Sequence, residues 1–215
     1  MSFSEFFKNE YYQKMIFPES GGPVRNRADS FLKIFQELEK KDDKNFFIVE
    51  TGCMRPDWGE LAFGDDGAST YIFDKFVNYY EGEVLSVDIN QNNVLHAQKF
   101  VSSKTKIFCS DSVKFLWNIS ATKKIDFLYL DSYDLEPHNP FQSQLHHMKE
   151  LCAISKNLKP GSIVVVDDNM NNPHFEYIWS SVDFKGGKSG FIKKFMENID
   201  AELLFDEYQI GWKIK

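Results

Sequence analysis

The sequence predicts an α/β fold in which a doubly wound, mostly parallel sheet is followed by a C-terminal antiparallel hairpin. Short apolar runs alternate with segments of helical periodicity along most of the chain. The first run covers residues 46–53, and an amphipathic helix follows at Gly67-Ala68-Ser69-Thr70 after a long loop. This repeated order of strand and helix is typical of a parallel sheet with right-handed crossovers.

Residues 1–45 are predicted to form an N-terminal helical segment that packs on a single domain spanning residues 46–215. Aromatic residues mix with charged residues over positions 1–20, and apolar residues at helical spacing mark a helix over positions 31–38. The aromatic amino end is alternatively a lid or an oligomer contact, so a homodimer stays open.

The later elements follow from the same patterns. Four more apolar runs predict strands at residues 84–88, 106–109, 125–131 and 162–166. Gly82 is expected to end the helix before the second strand, and helical spacing resumes after Gln91, near Val113 and around Leu145. A helix over residues 190–196 and alternating patterns over residues 201–205 and 208–214 complete the chain, the last two as a hairpin.

Composition limits the functions that this chain can have. The net charge of −7 over 215 residues argues against a broad nucleic-acid surface. Four lysines near the carboxyl end are explained as a solvated face: Lys185, Lys188, Lys193 and Lys194. The three cysteines are far apart and form no C-x-x-C pair, which favours reduced thiols. No apolar run is long enough to span a membrane, so we expect a cytoplasmic protein.

Acidic residues follow each of the five predicted parallel strands. They are Glu50, Asp88, Asp111, Asp131 and the pair Asp167-Asp168. The carboxyl ends of parallel strands share one edge of the sheet, where ligands bind in open α/β folds. Carboxylates gathered there repel one another unless a positive group or hydrogen-bond donors lie among them.

Two of these strand ends carry features of a nucleotide site. Gly52 follows Glu50, and glycine lets a backbone approach a ligand closely. The helix that begins near Ser69 and Thr70 offers unpaired N–H groups. Asp88 lies at a suitable distance along the chain to bind a ribose diol, although a helix cap is the alternative interpretation.

The ends of the fourth and fifth strands predict an all-oxygen cluster formed by Asp131, Asp167, Asp168 and Asn169. Oxygen ligands without cysteine suit Mg²⁺, Ca²⁺ or Mn²⁺ better than zinc. Such an ion would hold substrate oxygens and lower the pKa of a hydroxyl. The alternative is that one of the acids caps the next segment.

These residues resemble the class I methyltransferases that use S-adenosylmethionine, which have a Rossmann-like fold. Val49-Glu50-Thr51-Gly52 is similar to the first motif, and the resemblance implies that Glu50 and Gly52 lie beside the amino-acid part of the cofactor. It likewise implies that Asp88 holds the ribose hydroxyls, that Ser110-Asp111-Ser112 lies near the adenine, and that Leu130-Asp131 is the fourth motif. Ser69, Thr70 and Asp131 complete the predicted cofactor contacts.

Within this class, Asp131 with Asp167-Asp168 resembles the cation-dependent O-methyltransferases of the catechol and macrocin types. The resemblance implies Mg²⁺ on these acids and a hydroxyl on the substrate. The chain departs from the pattern in an insert over residues 54–66 and in having no lysine soon after Asp131. Asp134 and His138 follow the fourth strand and are the candidate bases, unless His138 is only a solvated loop residue.

The predicted function is therefore S-adenosylmethionine-dependent methyl transfer to a hydroxyl of a small molecule, assisted by a divalent cation. The alternatives are a metal-independent N- or O-methyltransferase and a non-catalytic binding domain of the same fold. A nicotinamide oxidoreductase requires a G-x-G-x-x-G turn, which Gly52-Cys53-Met54-Arg55 does not provide. Neither a nucleic-acid partner nor a membrane is expected.

Overall fold

The computed structural model describes residues 1–16, 26–58, 60–136, 139–171 and 186–215. These residues form two compact units, Met1–Ser110 and Asp111–Lys215. The first unit contains α1 (Phe3–Glu10), α2 (Tyr12–Ile16), α3 (Ala28–Glu39), β1 (Asn45–Thr51), α4 (Ser69–Tyr79), β2 (Glu81–Asp88), α5 (Gln91–Ala97) and β3 (Thr105–Cys109). The second contains α6 (Ser112–Asn118), β4 (Phe127–Leu130), α7 (Phe141–Ile154), β5 (Ile163–Val166), α8 (Gly190–Met196), β6 (Ala201–Asp206) and β7 (Ile210–Ile214).

The three strands of the first unit are parallel, with β2 between β1 and β3. Their register places Glu50 beside Ser86 and Asp88 beside Cys109. The predicted strands over this region are confirmed, and the acids at the ends of β1 and β2 lie at the same edge of this part of the sheet.

The aromatic amino end packs into the core of the first unit. A capping box between Ser2 and Glu5 begins α1, and Phe3 is fully buried. The ring centroid of Phe3 lies 4.9 Å from that of Phe35 and 5.1 Å from that of Phe76. Edge-to-face aromatic contacts therefore join α1 to α3 and α4.

Gly82 has a different role from the predicted one. The helix α4 ends at Tyr79, and Gly82 lies inside β2 with a φ of 135°. It pairs with Phe46, whose carbonyl oxygen would lie only 2.0 Å from an added Cβ. The glycine is needed for close strand approach, which the sequence pattern does not distinguish from a helix end.

The second unit joins parallel and antiparallel pairing. Strands β4 and β5 are parallel, with Leu130 opposite Val166. Strand β7 is antiparallel to both β5 and β6. The predicted C-terminal hairpin is confirmed, and the parallel register brings the residues that follow β4 and β5 to the same edge of this unit.

Helix α7 buries a polar face in addition to part of the apolar face that the helical spacing around Leu145 predicts. Of the residues at that spacing (Leu145, Met148, Leu151, Cys152 and Ser155), Leu151 is buried, whereas Cys152 and Ser155 are exposed. Also buried are Ser143, Gln144, His147 and Glu150. Met148, Leu151 and Cys152 line a groove of about 390 Å³ together with Phe195 and Met196. These apolar residues of α7 therefore form one surface, and that surface lines the groove.

Among the described residues, no helix combines the length and the hydropathy that crossing a membrane requires. The three cysteines are free thiols, with Cys53 buried and Cys109 and Cys152 exposed.

Candidate functional site

Glu50 is a buried acid at the carboxyl end of β1. Its side chain is completely buried. The Ser69 hydroxyl donates to Glu50 Oε1 at 2.6 Å, and the Ser86 hydroxyl donates to Oε2 at 2.5 Å. Each carboxylate oxygen therefore has a donor from the protein itself, one from the start of α4 and one from β2.

Burial controls the acidity of this group. It raises the pKa of Glu50 from its ordinary value of 4.5 to about 7, although the hydrogen bonds from Ser69 and Ser86 act in the opposite direction. A buried carboxylate loses its hydration, and neutral hydroxyl donors replace only part of it. Glu50 thus changes its charge close to neutral pH.

Asp88 is held by three N–H donors at the end of β2. Its Oδ1 accepts from the Asn90 backbone N–H at 2.7 Å. Its Oδ2 accepts from the Cys53 backbone N–H and from the Asn93 amide, both at 3.2 Å. The N-cap of α5 is Asn90, whose side chain accepts from the Asn92 N–H. The interpretation of Asp88 as a helix cap is therefore wrong, and Oδ1 retains acceptor capacity.

The turn after β1 is anchored within the first unit. Gly52 adopts a left-handed φ of 79° and donates its N–H to the Val87 carbonyl at 2.8 Å. The buried Thr70 hydroxyl accepts from the Met54 N–H at 3.1 Å. Ser69 and Thr70, predicted as cofactor contacts, are both engaged in bonds that hold β1, α4 and the following loop together.

The insert over residues 54–66 is fixed at both of its ends. Arg55 Nε lies 3.0 Å from Asp66 Oδ1, and the Arg55 backbone N–H donates to Asp66 Oδ2 at 2.7 Å. Met54 is buried in a cluster with Val94 and Ile107. The insert therefore belongs to the packing of the first unit.

The segment predicted to lie near the adenine has three separate environments. The Ser110 N–H donates to the Asp88 carbonyl at 3.0 Å. Asp111 is exposed and caps α6 by accepting from the Lys114 N–H at 2.8 Å. The buried Ser112 hydroxyl lies 3.0 Å from His146 Nε2.

The predicted acid cluster forms in the second unit. One carboxylate oxygen from each of Asp131, Asp167 and Asp168 lies within 4.8 Å of the others. Asn169 does not join them: its amide donates to Asp206 at 2.9 Å, and its oxygen accepts from Ser189 at 2.6 Å. The sequence therefore predicted the three acids as neighbours, whereas Asn169 bonds to Asp206 and Ser189.

A buried lysine lies within this cluster. The Lys188 ammonium contacts Asp131 Oδ1 and lies 3.0 Å from Asp168 Oδ2, while its side chain is only 2% exposed. Burial disfavours the charged form, but the carboxylates of Asp131, Asp168 and Asp167 more than offset it, so the pKa of Lys188 is raised. The prediction of a solvated face is wrong for Lys188.

Residues at the start of β7 bind the remaining carboxylate oxygens. The Gln209 amide donates to Asp167 Oδ1 at 2.9 Å and to the Tyr129 hydroxyl at 2.8 Å. The Tyr208 hydroxyl donates to Asp168 Oδ1. In the sequence these residues belong only to the alternating hairpin pattern, which carries no signal for their partners.

A divalent cation does not fit this cluster as it stands. Mg²⁺ requires several oxygens at about 2.0–2.1 Å in a regular octahedron. The Lys188 ammonium contacts one of these oxygens and lies within hydrogen-bond distance of a second. A metal ion would therefore have to displace a buried positive charge.

The candidate bases are only partly within the described structure. Asp134 is exposed in the loop after β4, and His138 lies outside the described residues. His146 Nε2 lies 3.0 Å from Ser112 and 3.4 Å from Glu150. Both contacts involve the same nitrogen, so these residues do not form a serine–histidine–acid relay, which requires both ring nitrogens.

His147 is a packed histidine of α7. It is fully buried, and its Nδ1 lies 2.7 Å from the Ser143 carbonyl. Burial lowers the pKa of His147 to about 4, so the ring is neutral at neutral pH.

Comparison with known proteins shows the fold. The chain matches no family model and no curated protein sequence. It is similar to the solved structure of MycE, a methyltransferase from the mycinamycin biosynthetic pathway in complex with Mg and SAH. That match has a TM-score of 0.61 and 15% identity over 99% of this chain and 54% of MycE. The chain thus spans about half the length of MycE.

Two other solved structures match a larger share of their own length. CalS11, a TDP-rhamnose 3′-O-methyltransferase of calicheamicin biosynthesis, has a TM-score of 0.55 and 14% identity over 99% of this chain and 95% of that one. The O-methyltransferase NovP has a TM-score of 0.57 and 13% identity over 95% of this chain and 88% of that one. The predicted fold is confirmed: the chain has the Rossmann-like α/β fold of class I methyltransferases, with antiparallel C-terminal strands.

Proposed function

We propose that this chain is an S-adenosylmethionine-dependent methyltransferase that acts on a hydroxyl of a small molecule. The observation that carries the proposal is Asp88, a carboxylate with remaining acceptor capacity at the end of β2, beside the left-handed turn at Gly52. The fold shared with MycE, CalS11 and NovP supports it, and CalS11 and NovP are O-methyltransferases.

The residues of the first unit suit this cofactor. Asn90, Cys53 and Asn93 fix the Asp88 carboxylate with N–H groups. An ionised carboxylate has about four acceptor sites, so a ribose hydroxyl can still donate to Oδ1. Glu50 lies near the carboxyl end of the neighbouring strand β1. The hydrogen bonds that it accepts from Ser69 and Ser86 hold the start of α4 against β1 and β2.

When bound, S-adenosylmethionine supplies a methyl group carried by a positively charged sulfur. The acceptor oxygen takes this methyl group from the sulfur and loses its own proton. The chain must align the acceptor and remove that proton. We assign the base to the loop that follows β4, where Asp134 is exposed. His138 is the other candidate from the sequence.

The reaction has a version with a divalent cation and a version without one. Three clustered carboxylates favour the first version. The buried Lys188 ammonium between Asp131 and Asp168 favours the second version, and we adopt it. The substrate hydroxyl is then activated by a base rather than by a metal ion.

A non-catalytic binding domain of the same fold is the second candidate. It is favoured by the engagement of Ser69 and Thr70 in bonds within the protein, because each hydroxyl already has a protein partner. Such a domain would transfer no methyl group, whether or not it binds the cofactor.

The test is calorimetric titration with S-adenosylhomocysteine in buffer containing EDTA. Saturable binding with one site per chain is expected in the wild type and is expected to be lost in Asp88→Ala. Glu83→Ala is the matched control, because Glu83 is an acid at the opposite end of the same strand. Absence of binding in the folded wild type would refute the proposal.

Transfer itself is measured with methyl-labelled cofactor and a panel of hydroxylated small molecules, beginning with nucleotide sugars. Labelled methyl ether in the presence of EDTA supports the metal-independent version. Label transfer that appears only after Mg²⁺ is restored would overturn that version, and cofactor binding without transfer to any acceptor favours the binding domain.

A further inference from the structure

Lys188 lies where a buried charge is normally costly. It belongs to the short 3₁₀ turn Gly187–Ser189, which leads into α8. Lysine is almost never fully buried unless it is paired. Here the ammonium contacts Asp131 and lies 3.0 Å from Asp168, so the paired form accounts for its burial.

The backbone holds this lysine in place from both sides. The Lys188 N–H donates to the Asp168 carbonyl at 3.1 Å. Gly187 has a φ of 46°, and an added Cβ would lie 1.8 Å from the same carbonyl oxygen. The Ser189 hydroxyl donates to Asn169 at 2.6 Å. The turn is therefore fitted closely to Asp168-Asn169, and the side chain of Lys188 lies against the carboxylates of Asp131 and Asp168.

An ammonium and a divalent cation compete for the same oxygens. A metal ion bound to Asp131 Oδ1 and Asp168 Oδ2 would lie next to the Lys188 nitrogen, and like charges at such distances repel strongly in a buried site. The lysine is held beside the cluster by its own backbone, so it competes with a metal ion as part of the same chain.

We propose that Lys188 is the resident cation of the cluster formed by Asp131, Asp167 and Asp168, in the place that a divalent metal ion would otherwise take. Removal of its charge opens a divalent-cation site on the same three carboxylates. The inference rests on the contacts of the second unit alone. Its consequence for catalysis, a reaction that proceeds without metal, rests on the proposed function.

The experiment is titration of EDTA-treated, desalted protein with Mn²⁺, read by the relaxation of water protons. Wild type is expected to show no saturable binding of one ion per chain. Lys188→Met is expected to bind one Mn²⁺ with an affinity raised by about tenfold or more, because a buried positive charge has been removed. Lys193→Met is the matched control, since Lys193 pairs with Asp206 at a more exposed position.

Two outcomes overturn the proposal: saturable binding by wild type that is lost in Asp131→Asn, and a folded Lys188→Met variant with unchanged affinity. If Lys188→Met does not fold, Lys188→Gln replaces it, because the amide can still donate to one carboxylate. If neither variant folds, wild type titrated beside Asp131→Asn still tests the proposal, because saturable binding that depends on Asp131 overturns it.

Calorimetry with S-adenosylhomocysteine on the same samples separates this inference from the proposed function. Loss of cofactor binding in every sample would refute the methyltransferase and leave the manganese titration interpretable. Cofactor binding by wild type together with saturable manganese binding would refute the role of Lys188 and leave the methyltransferase intact.

Discussion

The acids of the two units occupy equivalent positions at strand ends, but they are compensated in different ways. In the first unit, Glu50 and Asp88 are satisfied by hydroxyl and N–H donors that carry no net charge. In the second unit, Asp131 and Asp168 are satisfied in part by the full positive charge of Lys188.

This difference has consequences for acidity. Neutral donors around Glu50 do not overcome the effect of burial, and its pKa rises to about 7. In the second unit, attraction between Lys188 and the carboxylates does overcome burial, and the pKa of Lys188 rises. Hydrogen bonds therefore leave a buried acid able to change its charge near neutral pH, whereas an ion pair keeps the charges fixed.

The largest effect is expected for Lys188→Met, which removes the charge from the second unit. Breaking a buried ion pair by removing one partner costs about 3–5 kcal/mol, because the other partner stays buried and unpaired. The measurement is the free energy of unfolding by urea. The control Lys193→Met removes a more exposed pair and should cost about 0–1 kcal/mol. Equal losses of unfolding free energy in the two variants would show that the buried Lys188 ion pair stabilises the protein no more than the more exposed pair does.

The next effect concerns Glu50→Gln and its dependence on pH. The pKa of Glu50 is higher in the folded state than in the unfolded state. This difference stabilises the folded state fully below about pH 4.5, and the stabilisation is lost as the pH rises through about 7. A shift of this size corresponds to about 3 kcal/mol. The wild type should lose this amount relative to Glu50→Gln between those pH values.

The measurement for Glu50 is urea unfolding of wild type and Glu50→Gln at several pH values between 4 and 8. Other titrating groups cancel in the difference between the two free energies of unfolding. One pKa unit corresponds to about 1.4 kcal/mol in that difference. Glu83→Gln is the control, because Glu83 is a partly exposed acid of β2 paired with Lys106. A pH-independent difference between wild type and Glu50→Gln would contradict the raised pKa.

A smaller effect is expected for Ser86→Ala, which removes the donor to Glu50 Oε2. Loss of a buried hydrogen bond to a carboxyl costs about 1–2 kcal/mol. The pKa of Glu50 should rise further, since its ionised form loses a donor. Thermal unfolding measures the stability, and Ser103→Ala in an exposed turn is the control. An unchanged pH dependence in Ser86→Ala would show that this hydroxyl does not tune Glu50.

The smallest effect is expected for Asp111→Ala. This acid caps α6 through the Lys114 N–H, and loss of an N-cap costs about 0.5–2 kcal/mol. Urea unfolding checks the loss, and Asp111→Asn should restore most of it because asparagine caps equally well. The same variants in a cofactor titration report whether the role near the adenine, implied by the resemblance, also holds.

The fold class and the strand-end acids could be predicted from the sequence because both depend on local patterns. Apolar runs and helical spacing identified the strands from β1 to β5 and the terminal hairpin. Errors arose where one residue type serves two purposes. Gly82 suits a helix end and a close strand contact equally well, and the apolar stripe of α7 suits a core and a groove equally well.

The roles of the site residues were less accessible. A cluster of Asp131, Asp167 and Asp168 follows from parallel register alone, and the structure contains it. The requirement for a positive group or donors among the acids also followed from the sequence. The identity of that group did not, because Lys188 lies 57 residues from Asp131 and no local pattern distinguishes it from the other lysines near the carboxyl end.

The sequence by itself determined the α/β architecture and the positions of the acids, since the apolar periodicity and the chain order indicate which residues end each strand. Only the tertiary structure decided how each acid is compensated. Serine hydroxyls reach Glu50 across neighbouring elements, and a tight turn at Gly187 brings Lys188 to Asp131 and Asp168. Such pairings depend on where distant segments pass one another, which no local pattern records.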